Sequence, residues 1–143
     1  MDTVSASDDG ATMSPEAKPT GNMRVLIVED ELMIRMLLEG MLEDIGHSVA
    51  GQAGDIDEAL VLAKKAEFDV ALLDVNLNGK PITPVVDILV ARGLPFVFAS
   101  GYGQRGVPDA FGKSPVLQKP FQVETLAVAL QTACAAAVAA KAG

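Results

Sequence analysis

Short apolar runs in this chain alternate with segments of helical periodicity, and the alternation repeats five times. The runs contain mostly aliphatic residues and Phe, which is typical of short buried strands. They are Arg24–Val28, Ser48–Ala53, Asp69–Leu73, Pro95–Ala99 and Val116–Leu117. Neighbouring parallel strands need long crossover connections, and helices usually supply them. The sequence therefore predicts an α/β fold with one five-stranded parallel sheet and helices on both faces.

Four helices are predicted between and after these runs. They cover Glu31–Ile45, Asp55 to about Ala66, about Pro84 to Ala91, and Gln122 to about Ala140. Gly46 and the pair Arg92-Gly93 supply stop signals, and Asp55 with Glu58 resembles a capping box. In the first helix the positions 34, 37, 38, 41 and 45 form one apolar face, which we expect to be buried.

Composition narrows the class of protein. The chain has 143 residues, half of them apolar, and a net charge of −8. We expect a flexible acidic tail over residues 1–22 and one domain over 23–140. The acidic balance disfavours nucleic acid and anionic membranes as partners. The lack of a membrane-length apolar run, the lack of a secretory signal and a single Cys134 predict a cytoplasmic protein.

Polar side chains follow four of the predicted strands. Glu29 and Asp30 follow the first strand and Asp74 the third, while Ser100 and Lys119 follow the fourth and fifth. The carboxyl ends of parallel strands meet at one edge of a sheet, where ligands of such folds bind. The sequence therefore predicts one site with three carboxylates, a hydroxyl and an ammonium.

This set of side chains favours a hard cation and a phosphoryl group. Close carboxylates repel one another, and an all-oxygen site with no Cys or His suits Mg²⁺ or Mn²⁺. Lys119 can hold a phosphoryl oxygen, and Pro120 restricts the backbone that carries it. A carboxylate such as Asp74 can act as a nucleophile and form an acyl phosphate. No strong activating base is visible, so we expect slow stoichiometric transfer rather than an enzyme.

Each residue also has an ordinary structural interpretation when it is taken alone. Glu29-Asp30 is a common solvated helix start, Asp74 a turn-forming residue and Lys119 a surface lysine. His47, the only histidine, is expected in a surface turn, with a phosphohistidine role as the less favoured alternative. Only the ordered combination at strand ends favours a shared functional site.

The motifs Glu29-Asp30, Leu-Leu-Asp74, Ser100-Gly101 and Lys119-Pro120 resemble the receiver domain of two-component response regulators. The resemblance covers about residues 23–134. It implies a flavodoxin-like (βα)5 fold with strand order 2-1-3-4-5, and phosphorylation of Asp74. It also implies magnesium ligation by Glu29, Asp30, Asp74 and the backbone carbonyl of Asn76. Ser100 and Lys119 would then sense and hold the phosphoryl group.

The segment from Pro95 to Gly103 is similar to a narrower group, the stand-alone alphaproteobacterial receivers with a Pro-Phe-x-Phe-Ala-Thr-Gly motif. That group acts in kinase networks, including stress signalling. Val116 departs from the family, which usually has an aromatic residue three positions before the lysine. We therefore expect Tyr102 to take over part of the switch, with half-buried packing as the equally weighted alternative. The segment Gly101–Ser114 is expected to become ordered on phosphorylation.

The resemblance implies a histidine kinase or a histidine phosphotransfer protein as the phosphodonor. Leu32, Met33 and Met36 lie off the predicted buried face beside Asp30 and, with Pro120, are candidate docking residues. Since no effector domain follows, we expect output by protein binding or onward phosphotransfer. The alternatives are a receiver-like adaptor that works without phosphorylation and a small phosphatase that uses an aspartyl phosphate.

Overall fold

The structure, a computed structural model, describes residues 23–101 and 115–142. The predicted tail over residues 1–22, Tyr102 and nearly all of the Gly101–Ser114 segment lie outside the described residues. The predictions made for them therefore remain predictions.

Five parallel strands form the central sheet, as predicted. They are β1 (Arg24–Val28), β2 (Ser48–Ala53), β3 (Val70–Asp74), β6 (Phe96–Ser100) and β7 (Val116–Gln118). The spatial order is β2-β1-β3-β6-β7. This is the predicted order 2-1-3-4-5 once two short strands outside the sheet, β4 (Asn76–Leu77) and β5 (Lys80–Pro81), are set aside. The fold class inferred from the sequence is confirmed, because the five strands are parallel and lie in the expected order.

Four helices are described around this sheet. They are α1 (Leu32–Ile45), α2 (Ile56–Lys65), α3 (Thr83–Arg92) and α4 (Val123–Ala142). Helix α1 ends at Gly46 and α3 at Gly93, both in the left-handed conformation that glycine adopts without strain. Asp55 caps α2 by accepting a hydrogen bond from the Glu58 backbone N–H at 2.8 Å. The helix boundaries lie within about two residues of the sequence prediction.

Two apolar cores enclose the sheet because neighbouring strand residues face opposite sides. Val25 and Ile27 of β1 pack in the core that contains α1 and α4, whereas Leu26 and Val28 pack in the core that contains α2 and α3. Leu42 and Leu126 are fully buried in the first of these cores. The sheet is thus covered on both faces, which leaves the carboxyl ends of the strands as the place for a site.

A short antiparallel hairpin is present that the sequence did not predict. Strands β4 (Asn76–Leu77) and β5 (Lys80–Pro81) pair across Asn78 and Gly79, both of which have positive φ. The strand and helix patterns of the sequence leave this segment, between the third predicted strand and the third predicted helix, without an assigned element. An Asn-Gly pair suits the left-handed conformations of a tight hairpin turn, so the signal was present in the sequence.

The prediction that Leu37 lies on the buried face of α1 is wrong. Leu37 is 60% exposed, whereas Leu38, Met41 and Leu42 fill the core. The core accepts a stripe of α1 that is centred between Leu38 and Leu42, and Leu37 lies at its edge. An apolar arc wider than the contact area cannot be buried completely.

The prediction that His47 is a surface turn residue is also wrong. His47 is only 5% exposed, and its Nδ1 accepts a hydrogen bond from the Met23 backbone N–H at 3.3 Å. Burial lowers the pKa of His47 below its ordinary value. The side chain therefore belongs to the interior at the amino end of β1, where the neutral ring serves as an acceptor.

The His47 hydrogen bond predicts a pH dependence of stability. The lowered pKa means that the unfolded chain takes up a proton first, at about pH 6.5, so stability falls as the pH drops through that range. His47→Asn retains an acceptor near the Nδ1 position but does not titrate. We expect urea unfolding to show a larger loss of stability in wild type than in His47→Asn between about pH 7.5 and about pH 5.5. Parallel curves for the two proteins would contradict this assignment.

Candidate functional site

The carboxyl ends of four strands bring the predicted polar residues together. Strand β3 lies between β1 and β6, and its last residue, Asp74, is in register with Ala99. Ser100 is therefore one residue further along the neighbouring strand. The backbone O of Ser100 accepts a hydrogen bond from the Lys119 N–H at 2.9 Å, which ties the end of β6 to the residue after β7. Parallel register alone thus places these residues at one edge.

Lys119 is the electrostatic centre of this edge. Its Nζ lies 2.8 Å from Glu29 Oε1 and 3.3 Å from Asp74 Oδ2. Burial alone would lower the pKa of Lys119, but the hydrogen bond to Glu29 and the charge of Asp74 raise it above its ordinary value. The ammonium therefore stays charged and holds two carboxylates from different strand ends.

Glu29 and Asp30 differ in environment although they are neighbours in the chain. Glu29 is 2% exposed, and burial raises its pKa despite the hydrogen bond from Lys119. Asp30 is more accessible; burial opposes its ionisation, but its interaction with the Glu29 carboxyl group and the hydrogen bond from the backbone N–H of Asn78 hold its pKa below the usual range. Asp30 is thus the acid better suited to face a cation directly.

Asp74 is held by its own turn. Its Oδ1 accepts a hydrogen bond from the Asn76 backbone N–H at 3.1 Å, while Oδ2 is directed to Lys119. An aspartate that bonds a backbone N–H two residues ahead fixes the start of a loop. Both oxygens of Asp74 therefore have defined positions, which a nucleophile or a metal ligand requires.

The residues present fit a small divalent cation. Glu29, Asp30 and Asp74 each offer a carboxylate oxygen, and these oxygens lie within 4.8 Å of one another. Mg²⁺ uses one or two carboxylates together with waters and phosphate oxygens, at distances near 2.1 Å. Three converging acids with one ammonium leave an excess of negative charge that such a cation would neutralise.

The structure places the other predicted residues as follows. Ser100 is buried at the end of β6, and Asn76 is exposed at the start of β4. The Lys119–Pro120 peptide is cis, with Pro120 exposed. The candidate docking residues on α1 are all exposed: Leu32, Met33 and Met36. The ligand role of the Asn76 carbonyl and the switch role of Tyr102 stay predictions.

Two residues at this edge were missed by sequence reasoning. Asn78 bonds both Asp30 and the backbone of Gly54, and Arg35 bonds the carbonyl oxygen of Glu29 at 2.6 Å. Arg35 lies outside the apolar face that helical periodicity predicts for α1, a place where side chains usually face solvent. Its position four residues after Glu31 indicated only the helix face, and nothing local showed that it turns toward the end of β1.

No helix within residues 23–101 and 115–142 combines the length and the apolar character needed to cross a bilayer.

Comparisons with known proteins agree with this geometry. The family model described as "Response regulator receiver domain" matches residues 25–131. The transcriptional regulatory protein PdtaR of Mycobacterium tuberculosis is 35% identical over 77% of this chain and 56% of its own length. The phyllosphere-induced regulator PhyR of Methylorubrum extorquens is 30% identical over 76% of this chain and 42% of its own length. The chain therefore spans about half the length of these curated relatives.

Solved structures include receiver domains that this chain matches over almost their whole length. The solution structure of SdrG from Sphingomonas melonis Fr1 is 40% identical with a TM-score of 0.70, and the match covers 85% of this chain and 99% of SdrG. SdrG is also solved in a BeF3-activated conformation, which is 41% identical with a TM-score of 0.69 over 80% of this chain and 98% of that one. With its receiver motifs placed on the expected strand ends, this chain belongs to the family of response regulator receiver domains.

Proposed function

We propose that this chain is a phosphoacceptor receiver of a two-component phosphorelay and that Asp74 takes the phosphoryl group. The observation that carries the proposal is the pair of contacts from Lys119 to Glu29 and Asp74, beside the acid cluster. Phosphoryl transfer depends mainly on alignment and on neutralisation of charge. An ammonium already aimed at the acceptor carboxylate supplies part of both.

The chemistry of the transfer follows from these residues. An Asp74 oxygen attacks phosphorus and the P–N bond of a phosphohistidine breaks. The electron pair of that bond stays on the imidazole nitrogen, which takes up a proton from solvent. Lys119 would exchange its contact with Asp74 for one with a phosphoryl oxygen, and the Ser100 hydroxyl would bond a second oxygen. Mg²⁺, held by Asp30 and Asp74 with Glu29 close by, would neutralise the phosphoryl charge.

We further propose that the chain is not a rapidly turning over phosphatase. Hydrolysis of an aspartyl phosphate needs a base to activate water, and the position two residues after Asp74 carries the exposed amide Asn76. An amide cannot accept the proton. Slow loss of the phosphoryl group suits a signalling intermediate in the cytoplasm, with output by binding a partner protein or by onward transfer.

The exposed apolar patch on α1, formed by Leu32, Met33, Met36 and the unexpectedly exposed Leu37, is proposed together with Pro120 as the phosphodonor docking surface. Met33 is 82% exposed, and the other three residues on α1 are about 60% exposed. A groove of about 290 Å³ lined by Ile34, Leu37 and Phe121 continues the patch toward Lys119. Exposed methionines suit adaptable helix–helix contacts, and a helical bundle that carries a phosphohistidine could pack here beside Asp74.

Phosphorylation of Asp74 is tested with radiolabelled acetyl phosphate and Mg²⁺. We expect wild type to acquire a hydroxylamine-sensitive label, and we expect Asp74→Asn to acquire none, because an amide is not a nucleophile under these conditions. EDTA should suppress labelling of wild type. Hydroxylamine-sensitive label that persists in Asp74→Asn would contradict the proposal, and an unlabelled wild type would favour the phosphorylation-independent adaptor.

Lys119→Ala should separate phosphoryl binding from cation binding. Loss of one preorganised charged donor costs about a hundredfold in rate, so the initial labelling rate should fall by about that factor. Mg²⁺ affinity should be retained, because removal of a positive charge does not weaken a cation site. Lys80→Ala, which removes an exposed lysine of the nearby hairpin, is the matched control and should label like wild type. Equal labelling by Lys119→Ala and Lys80→Ala would refute the role of Lys119.

The docking surface is tested by replacing Leu32, Met33 and Met36 with Gln. Transfer from a histidine kinase that phosphorylates wild type should fall about tenfold or more, since a few central apolar residues dominate such interfaces. Labelling by acetyl phosphate should not change. Val61→Gln and Val90→Gln, at exposed valines of α2 and α3, are controls that should retain both activities. Equal losses with both donors would indicate misfolding and remove the docking assignment.

A further inference from the structure

Asn78 connects two loops at the candidate metal site. Its backbone N–H donates to Asp30 Oδ2 at 3.0 Å, and its side-chain Nδ2 donates to the carbonyl oxygen of Gly54 at 3.1 Å. Asn78 has φ of 54°, a left-handed conformation that asparagine tolerates better than most residues. The turn of the β4–β5 hairpin thereby bonds both the acid after β1 and the loop after β2.

Arg35 contacts two of the same loops, those after β1 and β2. Its Nη1 donates to the carbonyl oxygen of Glu29 at 2.6 Å. A Cβ atom built on Gly54 would lie 2.5 Å from this Nη1, so the guanidinium packs directly over the Gly54 backbone. A side chain at position 54 would displace the end of Arg35 without straining the backbone, because the positive φ angles of described glycines occur at 46, 79 and 93.

The contacts form a closed ring that includes Glu29 and Asp30, two of the three acids of the candidate metal site. It runs from Asp30 to Asn78, to Gly54, to Arg35, to Glu29 and back to Asp30 along the chain. The ring thus adds direct bonds between the loops after β1, β2 and β3 to those already made by the Glu29 N–H to Ala53 O and by Lys119 to Glu29 and Asp74. When an N–H holds one oxygen of a carboxylate, the other oxygen points in a defined direction. Mutation of groups that hold metal ligands in this way typically lowers metal affinity by about 10–100-fold.

We propose that Asn78 and Arg35 are positioning residues of the metal site, which act through Gly54 to hold Asp30 in the geometry that binds Mg²⁺. The positioning role rests on the proposed function, because phosphorylation of Asp74 requires the Mg²⁺ that these two residues would help to bind. Neither residue needs to touch the cation, and neither carries the phosphoryl group.

The test is a titration of backbone amide NMR signals with MgCl₂ in wild type, Gly54→Ala and Asn78→Gly. Gly54→Ala removes no charge and no hydrogen-bonding group, but it displaces the guanidinium. Asn78→Gly keeps the positive φ and the N–H to Asp30, and loses only the bond to Gly54. We expect each variant to raise the dissociation constant for Mg²⁺ about tenfold. Melting in EDTA should change little, since the end of the flexible Arg35 side chain can move aside.

Arg35→Gln adds a test in which a purely electrostatic role and a positioning role of Arg35 predict opposite changes in Mg²⁺ affinity. Loss of a nearby positive charge alone would strengthen Mg²⁺ binding. Positioning requires weaker binding instead. Arg92→Gln is the matched control, because Arg92 Nη1 also donates to a carbonyl oxygen, that of Ala63, at 2.6 Å. It should lose thermal stability and bind Mg²⁺ like wild type.

The outcomes separate this proposal from the proposed function. Wild-type Mg²⁺ affinity in Gly54→Ala or Asn78→Gly, or tighter binding in Arg35→Gln, overturns the positioning role even if wild type is labelled on Asp74. Weaker Mg²⁺ binding in all three variants supports the positioning role. This holds even if acetyl phosphate fails to label wild type, a result that would overturn only the phosphoacceptor function. A wild-type protein that does not bind Mg²⁺ overturns both.

Discussion

The double contact of Lys119 with Glu29 and Asp74 is the interaction on which this site depends. Three carboxylates from the ends of β1 and β3 converge within 4.8 Å, and close like charges oppose folding. The ammonium, delivered from the end of β7, offsets part of that repulsion. The residual negative charge makes the same edge a place for a divalent cation. Stability and chemistry therefore depend on one arrangement of charges.

The parallel sheet makes that arrangement possible. Residues that are far apart in the chain, such as Glu29 and Lys119, meet because the strands that precede them run in the same direction with fixed register. The apolar cores on both faces hold the strands, and the bond from Lys119 N–H to Ser100 O couples the last two strand ends. Under the proposed function, a change in the contacts of Lys119 would act on the end of β6 through this bond.

The sequence predicted the strands and the meeting of the polar residues at one edge of the sheet, because those features follow from local patterns and from one topological rule. The strand order was implied by the resemblance to receiver domains. Val25–Val28 is a short buried run whatever its neighbours are, and Asp74 directly follows another. Sequence-based prediction was wrong where the burial of a residue depends on packing against distant parts of the chain. Leu37 is exposed because the area of α1 that contacts the sheet is too narrow to cover it. His47 is buried where its ring accepts a hydrogen bond from the Met23 N–H. The ring through Asn78, Gly54 and Arg35 joins segments that no periodicity relates.

The measurement that bears most directly on the account is the position of the acyl phosphate in the chain. Borohydride reduces an aspartyl phosphate to homoserine, and peptide mass spectrometry then locates the converted residue. After reaction of wild type with acetyl phosphate and Mg²⁺, the account predicts conversion at position 74 and at no other acid of the cluster. Conversion at Glu29 or Asp30 with none at Asp74 would contradict it, because Lys119 and the strand ends would then serve a different acceptor.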